Sequence, residues 1–354
     1  MTSEPIAAFD AGPGVLDSLS VVIPVYNEET WVRIAVDALV ASADAAGVRL
    51  DVVIVDDGST DGTPAVLREL ADRTGARVIT QSNAGRLEAR SRGVAEAREA
   101  SVLLLDARVI VGLDSLRWIR EQVAQHPERR VWCGHVDVET SHNIFAAFWS
   151  GLVKVGWRRY TADPRLVSFG SEDFDYYPKG TGCLLIPRDV LLGAVGGFES
   201  LYDDAKLASD DTRLLRTVAG EQHIWLSPDF SFRYHGKSGA RGFVRQSYFR
   251  GTTFVDGYLG QAGAVRRALI AALVGASLLG VVAIRKPRLG AAGLMVAFGT
   301  FPAAVRAVGG TRDEVTAVAA LAPAFVPIFG AGVLRGLALA AERIVRASPT
   351  VPDE

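Results

Sequence analysis

The sequence predicts an α/β architecture: a mixed, mainly parallel sheet flanked by helices, followed by a C-terminal helical region of apolar character. Short runs of β-branched residues alternate with segments whose apolar residues recur at helical spacing, the pattern of right-handed βαβ units. Two such runs, Val21–Val25 and Val52–Val55, stop abruptly in acidic and turn-forming residues. A buried parallel strand delivers polar side chains to a sheet's edge in this way, and in open α/β sheets the crevice beyond the strands' carboxyl ends is where ligands bind. Uncharged apolar residues also collect after residue 267, outside that pattern.

Residues 1–17 carry Glu4, Asp10 and Asp17 with no basic start and no apolar centre, so 1–18 reads as a flexible tail and not as a signal peptide. From Glu29 to Ala46, the residues Trp31, Ile34, Ala35, Ala38 and Leu39 repeat at helical spacing. A second strand follows at Asp51–Val55, and Thr63-Pro64 opens the next helix, with Thr63 as N-cap and Pro64 at the first helical position. A third strand, Arg77–Thr80, leads through Asn83-Ala84-Gly85-Arg86 into a helix reaching about Ala100, and a fourth, Ser101–Leu105, ends on Asp106. After Val131 the pattern loosens. The polar, aromatic stretch Phe145–Tyr177 shows no assignable period and suits a substrate-binding loop. Gly180–Ile186 reads as a turn into a strand, and Ser209-Asp210-Asp211 opens a helix with Leu214, Leu215 and Val218 on one face.

The chain has 354 residues, enough for one large catalytic domain and an appendage. A net charge of −2 gives no electrostatic reason to expect nucleic acid as a partner. Cys133 and Cys183 are too few for a disulfide framework and lack metal-site spacing, so they read as two small buried side chains in a reducing compartment. Ala268–Ile284, Leu289–Val305 and Val315–Leu334 each hold 17 to 20 residues without a charge, against ~20 needed to cross a bilayer. They predict a multi-pass protein of the cytoplasmic membrane in contact with lipid. Arg266 and Arg267 place the start of the first stretch, and the catalytic domain with it, on the cytoplasmic side. Arg285, Lys286 and Arg288 would then be carried outside, unless the first two stretches form a shallow re-entrant hairpin or the charge bias is overridden.

Pro24-Val25-Tyr26-Asn27-Glu28-Glu29, followed about 30 residues later by Val55-Asp56-Asp57-Gly58-Ser59-Thr60-Asp61-Gly62-Thr63, resembles the nucleotide-sugar half of the inverting family 2 glycosyltransferases. The resemblance covers roughly residues 19–251 and implies a Rossmann-like GT-A domain, with 19–130 binding the donor and 131–251 the acceptor, then membrane helices at 252–345 and a tail at 346–354. It implies that Pro24 and Tyr26 lie along the nucleotide, Asp57 on the base edge with Asp56 beside it, and Glu28 near the ribose. A carboxylate only accepts hydrogen bonds, which suits base N–H and ribose hydroxyl donors; Asp56 or Asp57 capping the loop at Gly58 is the structural alternative. Asn83, Gly85, Ala89 and Arg90 match the family's N-x-G-x-x-x-A-R, which aims Arg86 and Arg90 at phosphate oxygens.

Two departures stand out. The family's D-x-D, whose carboxylates hold Mg²⁺ or Mn²⁺ against the diphosphate, reads Asp106-Ala107-Arg108 here. Asp106 then anchors a divalent cation, with His235 as the late metal-binding histidine, or Arg108 supplies the positive charge itself. Downstream, Gly196-Gly197-Phe198-Glu199 and the pair Asp210-Asp211 match the segment that carries the general base, with Asp211 in the base position. A helix N-terminus keeps such an acid ionised, and equally explains the pair as a cap. Gln246 and Arg250 resemble Q-x-x-R-W with the arginine one position late and no tryptophan; with Gly180 and Gly182 they are the expected acceptor contacts.

The resemblance thus implies a metal-dependent hexosyltransferase of cell-envelope polysaccharide synthesis. It would move a sugar from a nucleotide-sugar donor to a lipid-linked or glycan hydroxyl. A polyprenyl-phosphate sugar synthase and a non-catalytic nucleotide-sugar-binding subunit remain open. A dinucleotide-dependent oxidoreductase is excluded, because no G-x-G-x-x-G follows the first strand.

Overall fold

The computed structural model describes residues 16–260 and 263–347. The greater part of the expected N-terminal tail, and of the C-terminal tail at 346–354, lies outside them. In chain order the elements are β1 (Ser18–Val25), α1 (Trp31–Ala46), β2 (Arg49–Asp56), α2 (Thr63–Thr74), β3 (Arg77–Thr80), α3 (Arg86–Glu96), β4 (Ser101–Leu105), β5 (Val109–Val111), α4 (Ser115–Gln125) and β6 (Val131–Val138). Then come α5 (Ile144–Gly156), α6 (Arg158–Thr161), β7 (Val167–Phe169), β8 (Cys183–Pro187), α7 (Arg188–Gly196), α8 (Asp210–Glu221) and β9 (Ile224–Tyr234). Four helices close the chain: α9 (Ala240–Tyr258), α10 (Ala264–Arg285), α11 (Pro287–Ala307) and α12 (Arg312–Ala347).

The strands form one sheet in the order β3-β2-β1-β4-β8-β6-β9-β5, with β7 on β9. The first four are parallel, and β8 runs against both β4 and β6. Alternation along each strand builds a core on both faces. Val21, Ile23, Ile54, Leu103 and Leu105 face α1, α2 and α4, whereas Val22, Val53, Val55, Val102 and Leu104 face α3, α7 and α8. Each fully buried Val or Leu contributes about 1.5–3 kcal/mol. Cys133 and Cys183 are both buried and free, as expected, and sit in different layers of that core.

Three local expectations shift. Thr63 is the first helical residue of α2 with Gly62 as its cap; its hydroxyl instead accepts the Glu28 amide at 2.9 Å. The helix after Arg86 ends at Glu96. The stretch 145–177 is mostly ordered secondary structure: Asn143 caps α5 by accepting from the Phe145 and Ala146 amides, and Phe148 of that helix joins Phe243, Val305, Val318 and Phe325 in a separate helical core.

Helix α9 runs continuously through the 251/252 position expected to end the catalytic domain. The three apolar stretches map onto α10, α11 and α12. Among the described residues, α11 and α12 are long and apolar enough to cross a membrane. Helix α12, with 36 residues, spans about 54 Å. One of its faces is buried on the domain, through Ala317, Val318, Ala322 and Phe325, while Val326, Leu334, Ile344 and Val345 are exposed.

Candidate active site

Register pairing of β1 with β2 brings Val25 beside Asp56, so the loops leaving both strands meet. Asn27 turns the first loop with φ +56°. Its amide donates to Ser59 at 3.0 Å and its side-chain oxygen accepts the Thr60 amide at 2.7 Å, while Glu29 accepts the Gly62 amide at 2.8 Å. Asp56, buried, accepts the Ser59 amide at 3.0 Å and so caps this loop. Asp57, also buried, ties the third loop in: it accepts from Gln81 and the Ala84 amide at 2.8 Å and from the Gly85 amide at 2.9 Å. Gly58 (φ +75°) has no room for a side chain, since a Cβ would lie 2.8 Å from the Asn83 nitrogen. Pro24 is half-buried in β1 and Tyr26 is 41% exposed at its mouth.

By fixing Gly85, Asp57 sets the start of α3 and therefore the direction of Arg86 and Arg90. Arg90 is the hub. Its guanidinium donates to Asp106 at 2.7 Å, to Asp210 at 2.8 Å and to Asp211 at 3.0 Å. Arg86 grips Asp210 with two contacts of 2.5 and 3.0 Å and stands 3.5 Å from Asp211. Thr181 donates to Asp211 from the turn before β8. The Asp106 amide donates to the Gly182 carbonyl at 2.9 Å, and a Cβ on Gly182 would lie 2.9 Å from the Asp106 carboxylate. Asp106 ends β4, and Asp210 and Asp211 open α8, so acids from both halves of the domain converge on one cation. Burial works to raise the Asp211 pKa, but the charges of Arg86 and Arg90 and the bond from Thr181 hold it well below the usual carboxylate range.

The two arginines differ in access. The Arg90 side chain is 5% exposed and committed to three carboxylates, whereas Arg86 is 44% exposed and can exchange Asp210 for an incoming anion.

On the opposite wall, Arg108 pairs with Glu28 at 2.7 Å and lies over the Trp31 ring. His235 stacks on Trp31 with ring centroids 4.3 Å apart, and its backbone amide bonds to the Arg108 carbonyl. Burial lowers the His235 pKa. Among the described residues, no group of three or more His, Cys, Asp or Glu side chains is placed to hold a metal ion. Asp106 has one oxygen taken by Arg90. A single carboxylate completed by substrate phosphates and water suits Mg²⁺, and Asp106 fits that role.

Of the residues expected to contact the acceptor, Gly180 accepts from the Cys133 thiol, and Gln246 and Arg250 lie on α9. Arg250 is exposed, lies 4.6 Å over the Trp149 ring, and among the described residues forms no ion pair. The structure therefore gathers Asp106, Asp210, Asp211, Arg86 and Arg90 directly, with Asp57 joined through Gly85. Thr181, Trp31 and Trp149 were not singled out from sequence; Thr181, between two glycines at a strand entrance, carried the only local signal.

Residues 20–145 match the family model described as Glycosyl transferase family 2. Similar curated proteins include undecaprenyl-phosphate 4-deoxy-4-formamido-L-arabinose transferases. That of Edwardsiella ictaluri (strain 93-146) is 38% identical over 25% of this chain and 28% of its own length. That of Pseudomonas aeruginosa (strain LESB58) is 30% identical over 42% of this chain and 44% of its own. The chain thus spans less than half the length of these relatives. Among solved structures, the mannosyltransferase PcManGT from Pyrobaculum calidifontis, in complex with GDP-Man and Mn²⁺, is similar with TM-score 0.57 at 17% identity, over 94% of this chain and 90% of that one. That likeness establishes the GT-A fold.

Proposed function

We propose that this chain, whose residues 20–145 match the family model Glycosyl transferase family 2, is a membrane-associated inverting glycosyltransferase that moves a sugar from a nucleotide-sugar donor to a lipid-linked or glycan acceptor. The observation that carries the reading is the convergence of Asp106, Asp210 and Asp211 on Arg90. It puts the donor strand's acid and the candidate base within one guanidinium's span.

In this reading the nucleotide lies over Pro24 and Tyr26 in the crevice closed by Asp56 and Asp57, with Glu28 toward the ribose. Arg86 leaves Asp210 for the diphosphate. The acceptor enters along Gly180, Gly182, Gln246 and Arg250. Its oxygen attacks the anomeric carbon from the face opposite the diphosphate; a C–O bond forms, the bond to phosphate breaks, and the nucleoside diphosphate departs with the electron pair. Asp211 takes the acceptor's proton, and Asp210 holds the arginines in place. A divalent cation held by Asp106 would neutralise charge on the leaving diphosphate. Helices α10–α12 would form a multi-pass region in the cytoplasmic membrane with the catalytic domain on the cytoplasmic side.

A second reading, transfer to a polyprenyl phosphate, is favoured by the suppressed basicity of Asp211 and by the relatives' undecaprenyl-phosphate names. An ionised phosphate needs no base. Purified membranes incubated with labelled nucleotide sugars, with and without Mn²⁺, test the first claim. Product should appear on lipid or glycan; nucleotide binding without turnover would leave a binding subunit instead. Asp211→Asn then separates the acceptors: about 10²–10⁴-fold loss for a hydroxyl, and near-wild-type rate for a phosphate.

A further inference from the structure

The catalytic pair is held from behind by the C-terminal helices. Asp256, fully buried on α9, accepts from the Ser200 hydroxyl at 3.0 Å, the Leu201 amide at 2.6 Å and the Ser209 amide at 2.7 Å. Arg213 of α8 pairs with the same carboxylate at 3.0 Å. One side chain therefore fixes both ends of the 200–209 segment and the residue immediately before Asp210. That segment is also clamped by α12. Arg343 donates to the Ser200 carbonyl and, at 3.4 Å, to that of Tyr202, while the Tyr202 hydroxyl donates to the Thr252 carbonyl at 2.6 Å.

Helices α9 and α12 touch backbone to backbone. A Cβ on Gly251 would lie 2.2 Å from the Phe329 carbonyl, one on Gly332 would lie 2.1 Å from that of Tyr248, and one on Gly336 would lie 2.5 Å from the Tyr202 hydroxyl. Gly332 and Gly336 are four apart, the spacing that lets apolar helices approach closely. At its other end α12 is tied to α5, where Glu314 accepts from Ser150 at 2.7 Å and pairs with Lys154 at 2.8 Å.

We propose that Asp256 is the positioning residue for Asp210 and Asp211, and that α12, through its glycine contact with α9 and through Arg343, is a structural part of the active site as well as a lipid-facing helix. The inference rests on the reading of Asp211 as the group beside the reacting oxygen. Asp256→Asn places an amide donor against the Ser209 or Leu201 amide and releases the start of α8. Gly336→Ala wedges α12 from Tyr202.

The test uses the full chain in its membrane, measuring kcat and donor KM together with amide hydrogen exchange. Both variants should lower kcat, Asp256→Asn by about 100-fold since displacements near 1 Å cost that much, with donor KM unchanged. Exchange should rise over residues 199–213 and stay at wild-type levels over 20–56. Leu334→Ala, on the outward face of α12, should change neither readout. Wild-type kcat in Asp256→Asn, or exchange rising equally across 20–56, overturns the proposal. An inactive wild type would sink the transferase reading alone, because the exchange pattern still decides the positioning role.

Discussion

The loops leaving β1 and β2 and the start of α8 hold their acids by different means. Asp56 and Asp57 are fixed by backbone amides and a glutamine within 28 residues of chain. Asp210 and Asp211 are fixed by guanidiniums about 120 residues away. Backbone amides belong to the loops themselves, so the Asp56 and Asp57 contacts last as long as those loops keep their fold. An arginine can exchange one anion for another, so the Asp210 and Asp211 contacts are open to competition from an incoming anion.

The difference can be broken at its hub. Arg90→Met leaves Asp106 unpaired and the buried Asp210 with only Arg86, and should destabilise the domain by about 3–5 kcal/mol; denaturant melts giving less than 1 kcal/mol would show that the hub is ornamental. On the donor side, Gly58→Ala forces a side chain into a left-handed turn against Asn83, and should cost ~1–3 kcal/mol and weaken nucleotide affinity without touching the hub. Asp106→Asn should abolish any stimulation by Mn²⁺ while His235→Ala leaves it intact; the reverse result in a metal titration would return His235 to the ligand set. The smallest effect concerns Lys179, where burial lowers the ammonium pKa from 10.5 to about 8. The unfolded chain binds more protons between those values, so stability should rise with pH across that window. Lys179→Met should flatten the rise in melting temperature.

The same contrast explains what could be read beforehand. Strands β3 and β4 fall where the sequence put them, because their signal is a short local run rich in apolar residues bounded by polar and turn residues. Asp211 was reachable through its Gly-Gly-Phe neighbour segment. The roles of Arg90 and Arg86 as partners of Asp210 were not, since nothing in a helix-face pattern names a partner 120 or more residues on. Arg108 read as an alternative source of positive charge in place of the second D-x-D acid, and its pairing with Glu28 became visible only in the structure. Helix α5 escaped although the Asn143 cap and the Ser150/Lys154 spacing of four were there to read.

The reversal of β8 between β4 and β6 brings the end of one strand and the beginning of another to the same rim, so the 180–182 turn abuts Asp106. Lengthening that turn, or exchanging the segment between β6 and β8, would reshape the rim beside Asp106 without touching the loops that leave β1 and β2.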